Sequence, residues 1–461
     1  MEGQMFLERV RSEGLGHNSY ILGHGGKAAV IDPRRDCGIY LEIAYRHGAA
    51  ITAIFETHRN EDYVIGSQEL ARLAGAQVYH GSRLDFRYGI PVDQGDMFDL
   101  GDLRLVVLET PGHTFESISI AVKDSKFGKE AVAVFSGDTL FIGDVGRTDF
   151  FPENVEEMAG MLYDSIFEKL LPLGDHVILY PGHGAGSICG KGMAARDFST
   201  LGYERGFNPV LQIGSREEFI RYKVQEHHYK PPYFRMMEKL NLEGIAPATS
   251  GIAGPRPLGA GEFVKAIENG ALVLDTRSPE AFAGAFIPGS TSIPLDMIPA
   301  FAGYFLPYDR KIVLVVQNYE DVATAVLYLR RLGYDDIQGY IAGGMRVWES
   351  SGRSYDRIPA VHIDELVRRI QLGDDFTLLD VRGIDEVRQG RLPGSVHIYL
   401  GELRQRLDEI PRDRPVTAYC ENGSRGVIAA SILKQSGFEA VEDSLGSMAA
   451  CMALGCPIIR D

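Results

Sequence analysis

The C-terminal part of the chain contains an internal duplication, and this repeat constrains the fold more than any other sequence feature. The segment LDTRSPEAFAGAFIPGSTSIPL, which begins at Leu274, recurs 105 residues later as LDVRGIDEVRQGRLPGSVHIYL from Leu379. Each copy continues with a short apolar strand, a loop, an Ala-rich helical segment and another strand. Because alternating buried strands and helices are typical of a parallel sheet, the repeat predicts two tandem α/β domains.

A segment rich in Pro, Gly and Ala precedes the repeat. Residues 243–261 read EGIAPATSGIAGPRPLGAG and contain few large apolar side chains, so they cannot pack a core. A chain of 461 residues is also longer than a single hydrophobic core usually supports. We therefore predict a linker in this segment and three domains, at residues 1–245, 258–352 and 360–461.

Charge and cysteine content limit the partners of the protein. Asp and Glu number 63 against 47 Lys and Arg, a formal net charge of −16 at pH 7, and such a surface repels nucleic acids and anionic lipids. No segment has the apolar length of a membrane span or a signal peptide, so we expect a cytoplasmic protein that binds neither nucleic acid nor membrane. The five cysteines lack close pairing, which argues against a disulfide framework and a structural zinc site.

Short β-rich runs dominate the first half of the chain. Apolar residues at helical spacing occur between them in VIGSQELARLAG and NVEEMAGMLYDSIFEKLL. This mixture predicts a layered α/β sandwich in which helices cover the sheets. The predicted strands lie at residues 28–32, 51–58, 76–80, 103–113, 131–138 and 176–183.

Candidate metal ligands follow the ends of these predicted strands. A single histidine at a strand end is more often a hydrogen-bonded structural residue than a ligand. Several imidazole and carboxylate groups at successive strand ends instead favour a metal site held by a rigid sheet. The candidates are His58, Asn60, Asp62 and Tyr63 in THRNEDY, His113 in TPGH, Asp138 in FSGD and His183 in YPGH.

These motifs resemble those of the metallo-β-lactamase superfamily, whose signature is T-H-x-H-x-D-H followed by distal His, Asp and His. The resemblance covers roughly residues 1–245 and implies an αββα sandwich. The segments DPRRD (32–36), TPGHTFESIS (110–119) and GDTLFIGDVGRTDF (137–150) resemble the persulfide dioxygenase branch more closely. Members of that branch are iron enzymes that oxidise glutathione persulfide or a similar thiol persulfide.

Two departures from the signature weaken the expectation of a two-zinc hydrolase. Asn60 replaces its second histidine and Tyr63 its last, so neither metal position keeps a full ligand set. The resemblance implies that His58, His113 and Asp138 hold one non-haem Fe(II) per chain, with zinc as the alternative in purified protein.

The remaining candidates take supporting roles by the same resemblance. Asp62 and His183 are expected to orient ligands or metal-bound water. Asn60 can still hydrogen-bond a bound water, and the alternative is a degenerate, metal-poor site.

Substrate contacts are also implied by resemblance. A thiol persulfide such as that of glutathione carries carboxylates that need fixed donors, and Arg147 in GRTDF is the first candidate. Tyr180, before PGH, and Arg205 in GYERGFNP match positions that line the thiol pocket in the family. The alternative for either arginine is an ordinary surface cation.

Both copies of the C-terminal repeat resemble rhodanese, the sulfurtransferase fold, over about residues 258–461. The resemblance makes Cys420, which opens the loop CENGSR, the sulfur-carrying nucleophile and places Arg425 at the end of that loop. Glu421 stands where a basic residue is common, which disfavours thiosulfate and favours a thiol persulfide. The first copy offers Val316 or Gln317 at the matching junction, so we expect it to be inactive as a sulfurtransferase.

The leading hypothesis combines both sites. The iron site oxidises the outer sulfur of a small-molecule thiol persulfide to sulfite with O2, and Cys420 passes sulfane sulfur between small-molecule carriers and that site, in sulfide detoxification. The alternatives are a thioester hydrolase similar to glyoxalase II and a noncatalytic sulfur carrier with a degenerate metal site. A homo-oligomer is left open.

Overall fold

The computed structural model describes residues 5–187, 190, 192–245 and 254–460. Cys189 and the middle of the predicted linker, residues 246–253, lie outside the described residues. The chain divides into two compact units near residue 250, and residues 330–333 are grouped with the first unit.

Strands dominate the first unit. They are β1 (Phe6–Ser12), β2 (His17–His24), β3 (Lys27–Ile31), β4 (Ala50–Glu56), β5 (Gln77–Gly81), β6 (Ile90–Val92), β7 (Met97–Leu100), β8 (Leu103–Glu109), β9 (Ile118–Asp124), β10 (Ala131–Gly137), β11 (Ile178–Pro181) and β12 (Ser199–Thr200). The helices are α1 (Gly38–Arg46), α2 (Ser67–Ala74), α3 (Val155–Asp164), α4 (Leu201–Phe207), α5 (Arg216–Gln225) and α6 (Phe234–Glu243). Short 3-10 turns cover Leu171–Leu173 and Pro209–Gln212, and a π turn covers Ser165–Leu170.

These strands form two six-stranded sheets, in the orders β1-β2-β3-β4-β5-β6 and β12-β11-β10-β9-β8-β7. The core between the sheets includes Phe55 from one and Leu105, Ile120 and Phe135 from the other. Along the first part of β8, buried and less buried residues alternate because one face of the strand packs on this core. Helices α1 and α2 pack outside the first sheet, and α3 and α5 outside the second. The predicted αββα sandwich is therefore confirmed.

The second unit contains the two copies of the repeat. The first copy has β13 (Arg256–Leu258), α7 (Ala260–Glu268), β14 (Leu272–Asp275), α8 (Pro279–Gly284), β15 (Thr291–Ser292), α9 (Ile298–Phe305), β16 (Ile312–Val315), α10 (Asp321–Arg331), β17 (Ile337–Ile341) and α11 (Gly344–Ser350). The second copy has β18 (Ala360–His362), α12 (Ile363–Leu372), β19 (Thr377–Asp380), α13 (Ile384–Gln389), β20 (Val396–His397), β21 (Val416–Tyr419), α14 (Ser424–Gln435), β22 (Val441–Leu445) and α15 (Ser447–Leu454). Short 3-10 turns cover Leu295–Met297, Leu400–Gln405 and Leu407–Glu409.

Each copy forms a five-stranded parallel sheet with the same topology. The strand orders are β13-β17-β16-β14-β15 and β18-β22-β21-β19-β20. Strands β14, β16, β19 and β21 are buried along their whole length, which explains why their sequences are continuous apolar runs. The two predicted tandem α/β domains are confirmed, and β16–α10 and β21–α14 are equivalent strand–loop–helix units.

Among the described residues, no helix is both long and apolar enough to cross a membrane.

Candidate metal centre and cysteine loop

The candidate metal ligands follow strands of both sheets in the first unit. His58 lies two residues beyond the end of β4, His113 lies in the connection between β8 and β9, and Asp138 directly follows β10. His58 Nε2 and Asp138 Oδ2 are 3.8 Å apart, and His113 Nε2 is 3.5 Å from the same oxygen. All three side chains are buried. Ligand atoms bound about 2.0–2.2 Å from one ion lie no more than about 4.4 Å apart, and both of these distances are within that limit.

Hydrogen bonds fix the histidine tautomers that a metal requires. Thr57 Oγ1 donates to Asp32 Oδ2 at 2.7 Å, so this hydroxyl accepts the hydrogen bond from His58 Nδ1 at 3.0 Å. His113 Nδ1 donates to the carbonyl oxygen of Arg147 at 3.0 Å, because a carbonyl can only accept. The proton is therefore on Nδ1 in both rings. Each Nε2 atom keeps its lone pair, and this lone pair faces Asp138.

The electrostatics of the cluster suit a cation. Burial lowers the pKa of His58 to about 3 and also lowers the pKa of His113, so both imidazoles are neutral. Burial opposes ionisation of Asp138, yet the imidazoles of His183 and His58 hold the pKa of its carboxyl below its ordinary value. His113 Nε2 has no hydrogen-bond partner among the described residues. Two neutral imidazoles and one carboxylate are donors that bind divalent metal ions.

His183 lies between two carboxylates. Its Nδ1 donates to Asp138 Oδ1 at 2.7 Å, and its Nε2 is 3.1 Å from Asp62 Oδ2. Burial lowers its pKa, but the carboxylates of Asp138 and Asp62 raise it well above the ordinary value. His183 therefore holds the Asp138 carboxylate, a contact consistent with the orienting role expected for it.

Asn60 and Tyr63 form hydrogen bonds away from the cluster. Asn60 Nδ2 donates to the carbonyl oxygen of His58 at 3.2 Å. Tyr63 Oη is hydrogen-bonded to His17 Nε2 at 2.8 Å. At the two positions where the family signature has histidines, Asn60 thus bonds to the backbone of His58 and Tyr63 bonds to the ring of His17.

The structure adds Glu61, a residue that the sequence reasoning missed. His58, Glu61 and His113 each offer one ligand atom, and these three atoms lie within 4.8 Å of one another. All three residues are buried. The only signal was an acidic residue three positions after His58 in the same loop, and the family signature leaves that position undefined.

Asn241 in α6 is a second residue that the sequence reasoning missed. Its Nδ2 donates to the carbonyl oxygens of Asn60 at 2.7 Å and Tyr63 at 2.8 Å, and its Oδ1 accepts from Ile65 N at 3.0 Å. One amide side chain thus satisfies three backbone groups of the loop that carries His58.

The three predicted substrate contacts lie in different environments. Arg147 is 1% exposed, and its guanidinium makes hydrogen bonds of 2.6 and 2.8 Å to both carboxylate oxygens of Asp149. Tyr180 packs on Phe135 in the core between the sheets, and burial raises its pKa. Arg205 is exposed on α4 and pairs with Asp175 at 3.1 Å. The backbone carbonyl of Arg147 contacts His113 of the metal cluster, and no hydrogen bond or ion pair within the described part of the chain joins Tyr180 or Arg205 to that cluster.

The loop after β21 surrounds the predicted nucleophile in the second unit. Cys420 is fully buried, and its Sγ accepts a hydrogen bond from Gly423 N at 3.1 Å. Gly423 adopts a left-handed φ of 102° where α14 begins, a conformation that other residues rarely adopt. Arg425 pairs with both carboxylate oxygens of Glu386, at 2.7 and 2.6 Å. Glu421 is half exposed and lies 3.8 Å from Arg382.

The corresponding loop of the first copy follows β16 and carries Val316 and Gln317 where the second copy has Cys420. Val316 is buried and Gln317 is exposed. Neither side chain can form a persulfide.

Family models match both parts of the chain. The metallo-β-lactamase superfamily matches residues 13–183, and the rhodanese-like domain matches residues 259–351 and 362–453. A metallo-β-lactamase structure from Staphylococcus aureus is 32% identical, has a TM-score of 0.66, and covers 74% of this chain and 99% of its own.

Several curated relatives carry functional names. The mitochondrial persulfide dioxygenase of Bos taurus is 29% identical over 236 residues, which are 49% of this chain and 77% of that protein. A hydroxyacylglutathione hydrolase of Haemophilus influenzae is 27% identical over 210 residues, which are 41% of this chain and 89% of that protein. The chain belongs to the metallo-β-lactamase superfamily, with two rhodanese-like domains following its metallo-β-lactamase domain.

Proposed function

We propose that this protein is an iron-dependent dioxygenase of a low-molecular-weight thiol persulfide that also transfers sulfane sulfur through Cys420, in sulfide detoxification. The observation that carries the proposal is the buried set of His58, His113 and Asp138, which provides two neutral imidazoles and one carboxylate for one ion. The similarity to the Bos taurus persulfide dioxygenase supports it.

In the proposed reaction, RSSH, O2 and H2O give RSH and sulfurous acid, so the outer sulfur is oxidised and O2 is reduced. A ferrous ion supplies the redox chemistry that lets O2 react with the persulfide. The chain orients the ligands: Thr57 holds His58, the carbonyl of Arg147 holds His113, and His183 holds Asp138. Burial of this cluster keeps bulk water away from it.

In the proposed transfer step, the Cys420 thiolate attacks the outer sulfur of a donor persulfide. The new S–S bond forms to Cys420 while the S–S bond of the donor breaks, and the donor leaves as a thiolate. The N–H of Gly423, 3.1 Å from Sγ, stabilises the anionic sulfur of Cys420 before this step.

Oxygen uptake and metal analysis test the dioxygenase proposal. Iron-loaded protein should consume O2 and release sulfite with glutathione persulfide, and His113→Ala should lose both the iron and the oxygen uptake. His80→Ala is a matched control, because His80 is a buried histidine at the end of β5 whose ring is hydrogen-bonded to the carbonyl oxygen of Tyr88. Iron-loaded parent protein without oxygen uptake on any thiol persulfide would refute the proposal.

Thioester hydrolysis is the second candidate, since the Haemophilus influenzae relative is a hydroxyacylglutathione hydrolase. A two-metal hydrolase of this superfamily would need ligands at residues 60 and 63, where Asn60 and Tyr63 bond elsewhere. Two tightly bound metal ions per chain together with thioester turnover would favour this candidate over the dioxygenase.

Substrate binding by Arg147, Tyr180 and Arg205 stays a prediction within this proposal. The Asp149 carboxylate already pairs with Arg147, so a substrate carboxylate has to share or displace that partner. Comparing a carboxylate-bearing persulfide with a neutral one in Arg147→Ala tests the assignment, because only use of the charged substrate should weaken.

A further inference from the structure

We propose that Glu61 is a further protein ligand of the metal ion and compensates for the histidine that the family signature has at residue 60. The inference rests on the metal ion of the proposed function. It adds a second carboxylate to the set of His58, His113 and Asp138.

The position of the Glu61 carboxylate supports this role. The side chain is 1% exposed, and Oε2 lies 3.8 Å from His113 Nε2. Neither of these two atoms has a hydrogen-bond partner among the described residues. Two buried acceptor atoms that face each other without hydrogen-bond partners form a place where a bound cation would be stabilised.

Arg59 holds only the other oxygen of this carboxylate. Its guanidinium is 3.4 Å from Glu61 Oε1 and 3.5 Å from Glu238 Oε1. A glutamate that served only as the salt-bridge partner of Arg59 would not need to leave Oε2 buried without a partner. The two oxygens of the Glu61 carboxylate therefore have different roles: Arg59 binds Oε1, and Oε2 is available to the metal.

The amide nitrogen of Asn60, the residue at the signature position, donates to the carbonyl oxygen of His58. With Glu61 bound, two carboxylates balance the charge of a divalent ion, whereas the three-residue set leaves one positive charge. The added ligand also leaves fewer coordination positions open for a substrate. The loss of the signature histidine at residue 60 thus exchanges an imidazole ligand for the Glu61 carboxylate, and the site keeps its metal ion.

Metal binding, measured without turnover, tests the inference. Apo-protein and its Glu61→Gln variant are titrated anaerobically with Fe(II) in competition with a chelator, and with Co(II) while the absorption spectrum is recorded. Alteration of outer-shell partners of metal ligands typically lowers affinity about 10- to 100-fold, so we expect metal affinity to fall at least about 10-fold in Glu61→Gln and the Co(II) spectrum to change. Glu238→Gln is the matched control, because this carboxylate also pairs with Arg59 but is 30% exposed and lies outside the cluster, so both readouts should equal those of the parent.

Thermal unfolding of the apo-proteins shows whether each variant folds. Should Glu61→Gln not fold, Glu61→Asp gives the second reading, because it keeps the charge but withdraws the carboxylate by one methylene, and weaker metal binding is expected. A folded variant with parental affinity and an unchanged Co(II) spectrum overturns the inference. If metal binding depends on Glu61 but the parent protein takes up no oxygen, the proposed function is refuted and the inference stands. If the parent protein binds no metal, both are refuted.

Discussion

Thr57 determines which nitrogen of a neighbouring histidine is available, although it is not one of the proposed metal ligands. Its hydroxyl proton goes to Asp32, so its oxygen can only accept from His58 Nδ1. The close approach of β10 to this hydroxyl requires a glycine, since a Cβ on Gly137 would lie 2.5 Å from Thr57 Oγ1. A threonine, an aspartate and a glycine together thus fix one tautomer.

Thr57→Val should weaken metal binding 10- to 100-fold, because the nearly isosteric side chain removes the acceptor for His58 Nδ1. Chelator competition with Fe(II) measures the change. Thr52→Val serves as the control, since Thr52 lies in β4, the strand that precedes Thr57, and its hydroxyl donates to the carbonyl oxygen of Ala28 in β3. Equal affinity of Thr57→Val and the parent would remove the hydroxyl from this role.

At the scale of elements, the Asn241 side chain of helix α6 supports the loop that carries His58. Asn241 lies 181 residues from Asn60 in sequence and supplies hydrogen bonds to three backbone groups between residues 60 and 65. The loop could not pair these groups with a neighbouring strand, because it leaves the sheet at the end of β4.

Asn241→Ala should therefore destabilise the loop. Leaving buried backbone groups unpaired costs about 1–3 kcal/mol each, so we expect a clear drop in the melting temperature of the apo-protein. Metal binding should weaken as well, and added metal should recover part of the lost stability. Calorimetry with and without Fe(II) measures both effects, and a parental melting temperature would contradict the assigned role.

Strand β22 carries a buried carboxyl group whose ionisation opposes folding. Asp443 is 2% exposed, and its Oδ1 has no hydrogen-bond partner among the described residues. It lines a cavity of about 400 Å3 that also contains Glu280 from α8 and Arg357. Burial, and then the charge of Glu280, raise the pKa of Asp443 from 3.8 to about 8.

Because the folded state binds this proton more tightly than the unfolded state, the associated stability is fully present below about pH 4 and is lost as pH rises toward 8. The side chain of Asp443→Asn cannot ionise. The melting temperature of this variant should therefore rise relative to that of the parent as the pH increases from 5 to 9. Thermal unfolding across this range measures the difference, and a difference that does not depend on pH would contradict the shifted pKa.

At the scale of the whole molecule, the metal ligands and the cysteine loop belong to separate compact units. Cys420→Ser should therefore abolish sulfane-sulfur transfer while oxygen uptake on a preformed thiol persulfide continues. Mass spectrometry after incubation with a sulfur donor should find one added sulfur atom on the Cys420 peptide of the parent and none in the variant. Cys456→Ser is the control and should keep the modification, and loss of oxygen uptake in Cys420→Ser would show that the two activities depend on each other.

The sequence predicts the frame of the molecule better than the lining of its sites. Apolar runs locate the strand ends, so the approach of His58, His113 and Asp138 follows from the fold, which is confirmed. The position of Glu61 depends on how one loop turns, and a residue pattern does not encode that turn. The sequence offers Arg147 as a cation for a substrate carboxylate, but its guanidinium pairs with Asp149 two positions later. The roles of these residues and the domain boundaries stay predictions.

The complete burial of Cys420 makes the loop a kinetic barrier to modification. An alkylating reagent such as iodoacetamide can reach Sγ only after the loop opens, so at high reagent concentration the labelling rate should level off at the opening rate. If Cys420 carries sulfane sulfur as proposed, the same closed loop should shield that sulfur from reduction by the free thiols of the surrounding solution. The lifetime of the stored sulfur would then depend on how often the loop opens, and no longer on how much thiol surrounds the protein.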